Sequence, residues 1–530
     1  MLALAMDGAS PALLRRWAAD GVLPNLARLI GAGAHGVSRG LEHFFVGSTW
    51  PSLYTGTSPA DHGHHSLIQL CPGRYDYHAM ADRKLVKRTP FWEHMSRAGR
   101  RVAILDVPLS ALSQDLNGIQ TVEWGSHDAV YGFRASTREL EREIESSFGA
   151  HPLGPSCDGL RRSAEDYEAF VSRLVAGVER KTQLTLAMLR KESWDFCVQV
   201  FTESHCAGHQ CWHVHDPAHP AHDAAIRSAV GDPLERVYRA IDRGIGEIRA
   251  AAGDETTFVV FSAHGMSYWY GAQLLLNDVL IRLGVAAPLP PSQPLRRPLR
   301  DALLDLAGRG WRRLPQPMRE RLMPLRRRLA EAGTAKTMPS LGVDAARSLC
   351  FPVYNGLVEG GIRLNLAGRE PNGRVQPGAE ADAFYADLRR ELLDIVDERT
   401  GHRLVRDVLR TRDVAEGEHL DDLPDILVVW SDEVPTGSIV VGSGAGAEIR
   451  AHSPRIGVVE GRNSFGRTGE HRPDGFGVFV GPGIPPGPLP ADFSILDYAP
   501  TFATLVGVEI PGLPGRSIFE ITACAARPVG

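Results

Sequence analysis

Short apolar runs of strand length alternate with longer amphipathic stretches along the first half of the chain, and this alternation restricts the fold more than any other feature. Residues 2–6 read as a strand. Residues 10–19 follow as a helix, with Ser10 as candidate N-cap and Pro11 at the first helical position. Leu26, Leu29 and Ile30 give residues 24–31 helical spacing. Helical residues 90–98 precede a strand at 101–107, and the amphipathic stretch 164–191 leads into a strand at 195–202. A helix at 233–251 leads into a strand at 257–261. This rhythm predicts an α/β fold with a mostly parallel central sheet covered by helices. The pattern resumes late in the chain, with strands at 361–366, 425–430 and 476–480 and helices at 380–396 and 497–506.

Between Arg296 and Lys336 the rhythm breaks. Twelve basic residues stand against four acidic ones, interrupted by Pro298, Pro315, Pro317 and Pro324. The segment reads as a basic helical insertion, either a solvated arginine face or a cap that attracts anions. The expected organisation is therefore a first core part at 1–285, the insertion at 286–345 and a second core part at 346–530.

With 530 residues and a net charge of −5, the chain has ample core material but no broad cationic surface. Binding to a nucleic-acid polymer is not expected. Seven cysteines with no CxxC pair argue against a disulfide framework or zinc ribbon, so a reducing cytoplasm is expected. No apolar stretch reaches membrane-spanning length, and no signal peptide is read at the N-terminus.

Three segments far apart in the chain carry histidine: Thr202-Glu203-Ser204-His205-Cys206-Ala207-Gly208-His209, Ser262-Ala263-His264-Gly265 and Gly469-Glu470-His471. The first two directly follow strands, and Asp7 ends another. Strand ends are where open α/β sheets gather reactive groups, and imidazoles arriving from separate segments suggest a metal site.

Further motifs stand in order: Asp7-Gly8, Leu23-Pro24-Asn25-Leu26, Ser48-Thr49-Trp50-Pro51-Ser52-Leu53-Tyr54-Thr55-Gly56, Pro59-Ala60-Asp61-His62-Gly63, Leu423-Pro424-Asp425 and Arg467-Thr468-Gly469-Glu470-His471-Arg472-Pro473-Asp474-Gly475. The series resembles the alkaline phosphatase superfamily, in particular its type I phosphodiesterase/nucleotide pyrophosphatase branch. The resemblance implies a three-layer sandwich and a metal-dependent hydrolase acting on a small anionic phosphate ester. It also implies one or two divalent metals, commonly zinc, with manganese or iron as alternatives. By position, Asp7 and His264 would bind one metal, and His209 and His471 the other.

The departures from the family pattern matter as much. Anchored on Trp212, His205 occupies a position where the family has Asp, which would give His205, His209 and His471 as one neutral ligand set. Ala263 stands where the family has a second Asp, so the other metal position loses a carboxylate. Ungapped counting puts Val46 at the nucleophile position; Thr49 and Ser48 lie close by, and Thr49-Trp50-Pro51 locally resembles the family's Thr-aromatic-Pro. Glu203 is a candidate general base, extra ligand or ligand-supporting group. Two other functions stay open: a one-metal hydrolase of a sulfate, phosphonate or carboxylic ester, and a non-catalytic metal-binding relic. His62 reads as a structural turn residue, while His213, His215, His219 and His222 read as surface residues. Arg369, Arg467 and Arg472 read as anion holders or as ion-pair partners.

Overall fold

A computed structural model describes residues 1–519 apart from 79–85, 126, 128–131, 155, 160, 162, 291–336, 339–340, 357, 437–447 and 463–465. The basic segment between Arg296 and Lys336 lies outside the described residues.

The run Phe196-Cys197-Val198-Gln199-Val200-Phe201 is buried at every position, as a strand covered on both faces must be. It pairs in parallel with Leu2–Met6, which pairs in parallel with Phe258–Ser262 on its other side. Among the described residues, nine strands form the central sheet, in the spatial order Gly487–Pro488, Ala34–Ser38, Gly475–Val480, Phe258–Ser262, Leu2–Met6, Phe196–Phe201, Val102–Leu105, Gly118–Val122 and Arg134–Ala135. The five strands from Phe258–Ser262 to Gly118–Val122 are parallel, and antiparallel pairing appears on either side of them.

Alternation along Leu2–Met6 divides the core. Leu2, Leu4 and Met6 face one apolar cluster, which holds residues of the helices Ala164–Lys191 and Pro233–Ala252. Ala3 and Ala5 face the other, with Trp50, Phe261, Tyr498 and Phe502. Small alanines on this face leave room for large rings opposite. The result is the expected three-layer arrangement.

A smaller antiparallel sheet follows, in the order Cys350–Val353, Glu359–Leu364, Ile426–Trp430 and Val405–Arg410. It has an apolar cluster of its own. The strands read from the sequence at 361–366 and 425–430 are the middle two of this sheet.

Register brings the ends of the parallel strands together. Met6 stands opposite Phe201 and Ala5 opposite Phe261, so Asp7, Thr202 and Ser262 emerge at one edge. The short strand Gly469–Arg472 pairs antiparallel with Gly265–Tyr268, placing His471 opposite Met266 and two residues from His264.

Candidate metal centre

The helix Glu203–His215 begins where the strand Phe196–Phe201 ends. His205 and His209 are four residues apart and share one helix face. Gly469 lets the last histidine strand approach that helix: a Cβ there would lie 2.2 Å from the Gly208 carbonyl oxygen. The contact is fixed by Thr468 N donating to His209 O at 2.7 Å.

Three imidazoles meet at this junction. His205 Nε2 lies 2.8 Å from His471 Nε2, and His209 Nε2 lies 3.1 Å from it. His209 Nδ1 donates to the Gly469 carbonyl at 2.8 Å, which puts its proton there and leaves Nε2 bare. Burial holds all three well below the ordinary imidazole range, so they are neutral. A cation among the three Nε2 atoms would take one lone pair from each ring, with the His205 and His471 protons then on Nδ1. Three neutral nitrogens from two segments fit a zinc-like cation, whose bonds of about 2.0–2.1 Å would need only a slight opening of the cluster.

Asp7 and His264 form the adjoining half. Asp7 Oδ1 accepts the Trp50 indole N–H at 2.9 Å and lies 3.3 Å from His264 Nε2. Burial pushes the Asp7 carboxyl up, but His205, His264 and the Trp50 hydrogen bond outweigh it and hold the group below the usual carboxylate range. Ala263 is fully buried in the apolar cluster that contains Trp50 and Phe261. This half therefore offers one carboxylate and one imidazole, and the carboxylate already has partners.

Thr49 is the first residue of the helix Thr49–Thr55 and immediately precedes Trp50, which reaches Asp7. Its hydroxyl donates to Phe45 O at 2.7 Å, and the Ser48 hydroxyl donates to Phe44 O. Attack by either oxygen requires giving up that bond. Val46 packs where a Cβ on Gly356 would touch it.

Glu203 is directed elsewhere. Its Oε1 meets His151 Nε2 at 2.8 Å and stands 3.7 Å from Lys181 Nζ, so the fold places it in a buried ionic network under the helix. Arg369 forks onto Asp425, Arg467 onto Asp158, and Arg472 binds Asp432; all three take the ion-pair reading. His62 Nε2 meets Ser52 Oγ at 2.8 Å, as its structural reading expects.

The surface reading fails for two histidines. His213 and His219 are 0% and 3% exposed, because Tyr167 and Thr468 close over the helix end. Burial lowers His213 to about 3 and His219 to about 4; His65, also buried, falls to about 3. Each stays neutral in the fold but takes a proton in the unfolded chain below about 6.5. Stability is therefore full above that pH and lost as pH falls towards 4 and 3, by up to about 1.4 kcal/mol per pH unit for each group. Denaturant midpoints measured from pH 7 to pH 4 should fall steeply; a flat profile contradicts this assignment.

Two residues near the site were not singled out from the sequence. Glu470 is buried beside His471, whose backbone N–H it accepts at 2.9 Å. His127 packs beside His205, with ring centroids 4.5 Å apart and the rings tilted by 54°. Its signal was positional, since Trp124-Gly125-Ser126-His127 follows the strand Gly118–Val122.

Comparison with known proteins adds the following. The family model described as Type I phosphodiesterase / nucleotide pyrophosphatase matches residues 1–436. None of the curated proteins matches the chain. Among solved structures, phosphonoacetate hydrolase from Sinorhizobium meliloti 1021 in complex with phosphonoformate aligns at 15% identity and a TM-score of 0.50, covering 95% of this chain and 94% of that one. Human ectonucleotide pyrophosphatase / phosphodiesterase 5 aligns at 12% identity and a TM-score of 0.48, covering 97% and 96%. At such identities the likeness to the hydrolase speaks for the fold alone. Among the described residues, no helix is long and apolar enough to cross a membrane.

Proposed function

Because this chain belongs to the type I phosphodiesterase/nucleotide pyrophosphatase family, we propose that it is a metal-dependent hydrolase of phosphate esters, with diesters or nucleotide pyrophosphates as the leading substrate class. The observation that carries this reading is the approach of His205 Nε2 and His209 Nε2, both on buried, neutral rings, to His471 Nε2 at 2.8 and 3.1 Å. His205, His209 and His471 would hold the cation, and zinc suits an all-imidazole set. When bound, a divalent cation supplies Lewis acidity that neutralises charge developing on phosphoryl oxygens.

The chain's own groups do the rest. Thr49 is the preferred nucleophile over Ser48, because its neighbour Trp50 ties the helix start to Asp7. Asp7 and His264 stand beside the three imidazoles, where an anionic carboxylate orients His264 and favours a cation nearby. Burial around the cluster excludes water and strengthens every charge interaction there. The six described cysteines are buried and none of them is in a disulfide, which suits a reducing compartment such as the cytoplasm.

The test is turnover of a generic aryl phosphodiester after chelation and re-addition of zinc or manganese. Restored turnover is expected. Inactivity of the metal-loaded chain towards diesters, monoesters and phosphonates alike would overturn the reading.

One observation favours a second reading. Ala263 is packed as an apolar residue and Asp7 is already engaged, so the second metal position is thin. A one-metal enzyme would use water directly and need no hydroxyl nucleophile. Thr49→Ala separates the two. With Thr49 as nucleophile, turnover falls on the order of 10²-fold while metal content is unchanged. Turnover within a few-fold of the parent would favour direct attack by water.

A further inference from the structure

The strand that carries His471 holds a second buried titratable group. Neighbouring residues of a strand leave on opposite faces, yet the Glu470 carboxylate turns back towards His471. Its Oε1 accepts the His471 backbone N–H at 2.9 Å and lies 3.4 Å from His471 Nδ1. Glu470 is 1% exposed. Among the described residues, neither Glu470 Oε2 nor His471 Nδ1 has a hydrogen-bond partner. Buried polar atoms left unpaired are costly, and here two of them belong to neighbouring side chains. The backbone of His471 is already held: Tyr270 Oη donates to His471 O at 3.2 Å, and the strand pairs with Gly265–Tyr268.

A cation on His471 Nε2 requires the ring proton on Nδ1. That N–H is buried and needs an acceptor. His209 meets the same need with the Gly469 carbonyl at 2.8 Å. For His471 the facing acceptor is the Glu470 carboxylate. A small turn of the carboxyl group would pair one oxygen with Nδ1 and leave the other on the backbone N–H. Burial pushes the Glu470 carboxyl up to about 7, and either protonation state keeps an oxygen that accepts.

We propose that Glu470 is the positioning residue of the metal centre: it accepts the Nδ1–H of His471 and so holds that ring with Nε2 bare towards the cation. The inference rests on the metal-hydrolase reading above. Metal-binding imidazoles commonly donate their second N–H to a carboxylate or carbonyl, which fixes tautomer and orientation and makes the ligating nitrogen more basic. The competing arrangement makes Glu470 a direct ligand, since Glu470, His209 and His471 offer donor atoms within 4.8 Å of one another. Geometry favours the positioning role. Both His205 Nε2 and His209 Nε2 face His471 Nε2, whereas the carboxylate faces Nδ1, the nitrogen that the cation does not use.

Cobalt(II) titration of the full chain, followed by absorption, tests this without reference to turnover. Glu470→Ala should weaken cobalt binding about 10–100-fold. Glu470→Leu, which keeps the bulk but supplies no acceptor, should do the same and carries the test if the alanine variant does not fold. Glu470→Gln keeps an accepting oxygen, so it should recover most of the affinity and leave the visible d–d bands where the parent has them. Thermal melting of each metal-free variant checks that it folds. Parent-like binding by folded Glu470→Ala or Glu470→Leu would overturn the proposal. Glu470→Gln binding as weakly as Glu470→Leu, with shifted d–d bands, would overturn it in favour of direct ligation. His471→Ala is the control. If it binds cobalt like the parent, the three-imidazole reading itself falls; if it loses cobalt while Glu470→Leu does not, the role of Glu470 alone is lost.

Discussion

Replacing His209 with alanine should lower turnover of an aryl phosphodiester by a factor on the order of 10⁴, equivalent to about 5 kcal/mol of transition-state stabilisation. The expectation follows from position. His209 has its Nδ1 proton fixed by Gly469 O at 2.8 Å, so its bare Nε2 is aimed at His471 and has no alternative role. Alanine leaves two imidazoles in a buried cavity, too few to hold a divalent cation against water. The folded core should survive, because a neutral side chain is lost and no buried charge is left unpaired. Steady-state kinetics of His209→Ala with added zinc, alongside far-ultraviolet circular dichroism, checks both halves. Turnover within tenfold of the parent in a folded variant would remove His209 from the metal centre.

The second large effect concerns stability. Lys181 is fully buried, with Nζ 3.1 Å from Asp106 Oδ2 and 3.7 Å from Glu203 Oε1. It also donates to the carbonyl oxygens of Val200 and Gly125 and to Thr202 Oγ1. Burial alone would lower its pKa, but the charges of Glu203 and Asp106 outweigh that and raise it. Lys181→Met would strand two buried carboxylates at the foot of the histidine helix. Removing one partner from a buried ionic network costs about 3–5 kcal/mol, because the remaining charge is left uncompensated. Denaturant unfolding of the metal-free protein should show a loss of that size. A loss below about 1 kcal/mol would mean that the network relaxes or takes up protons, and that it does not brace the helix. Glu203→Gln is a milder companion, since it keeps the shape and removes one charge.

Much of the fold was legible because its strands are largely apolar runs. Phe196–Phe201 and Phe258–Ser262 announce buried parallel strands without help from the rest of the chain. The candidate site was legible where a motif carried it: His205 and His209 by their position relative to Trp212, and Asp7 at a strand end. His471 was legible as a motif, but its arrival at the other two depends on pairing between Gly265–Tyr268 and Gly469–Arg472, about 200 residues apart.

The failures have physical causes. Gly118–Val122 holds Gln120 and Thr121, whose polar side chains mask a strand, although both are fully buried. Missing that strand meant missing His127 just beyond it. Glu203 stands two residues before His205, and residues two apart on a helix point in different directions, so its Oε1 meets His151 and Lys181. Lys181 lies in the middle of a long amphipathic helix, where lysine normally reads as solvated. Only the carboxylates arriving from other segments explain its burial. His213 and His219 looked exposed because their stretch is polar, whereas the residues that cover them, Tyr167 and Thr468, are remote in sequence.

The central claim is that His205, His209 and His471 hold a divalent cation, and its most direct test is metal content. Elemental analysis of the purified full chain, dialysed against metal-free buffer, should find at least one tightly held equivalent, with zinc the expected ion. The same measurement on His471→Ala, folded by circular dichroism, should find that equivalent gone. An unchanged metal content in folded His471→Ala, or no retained metal in a parent protein that still hydrolyses phosphodiesters in the presence of chelator, would contradict the account.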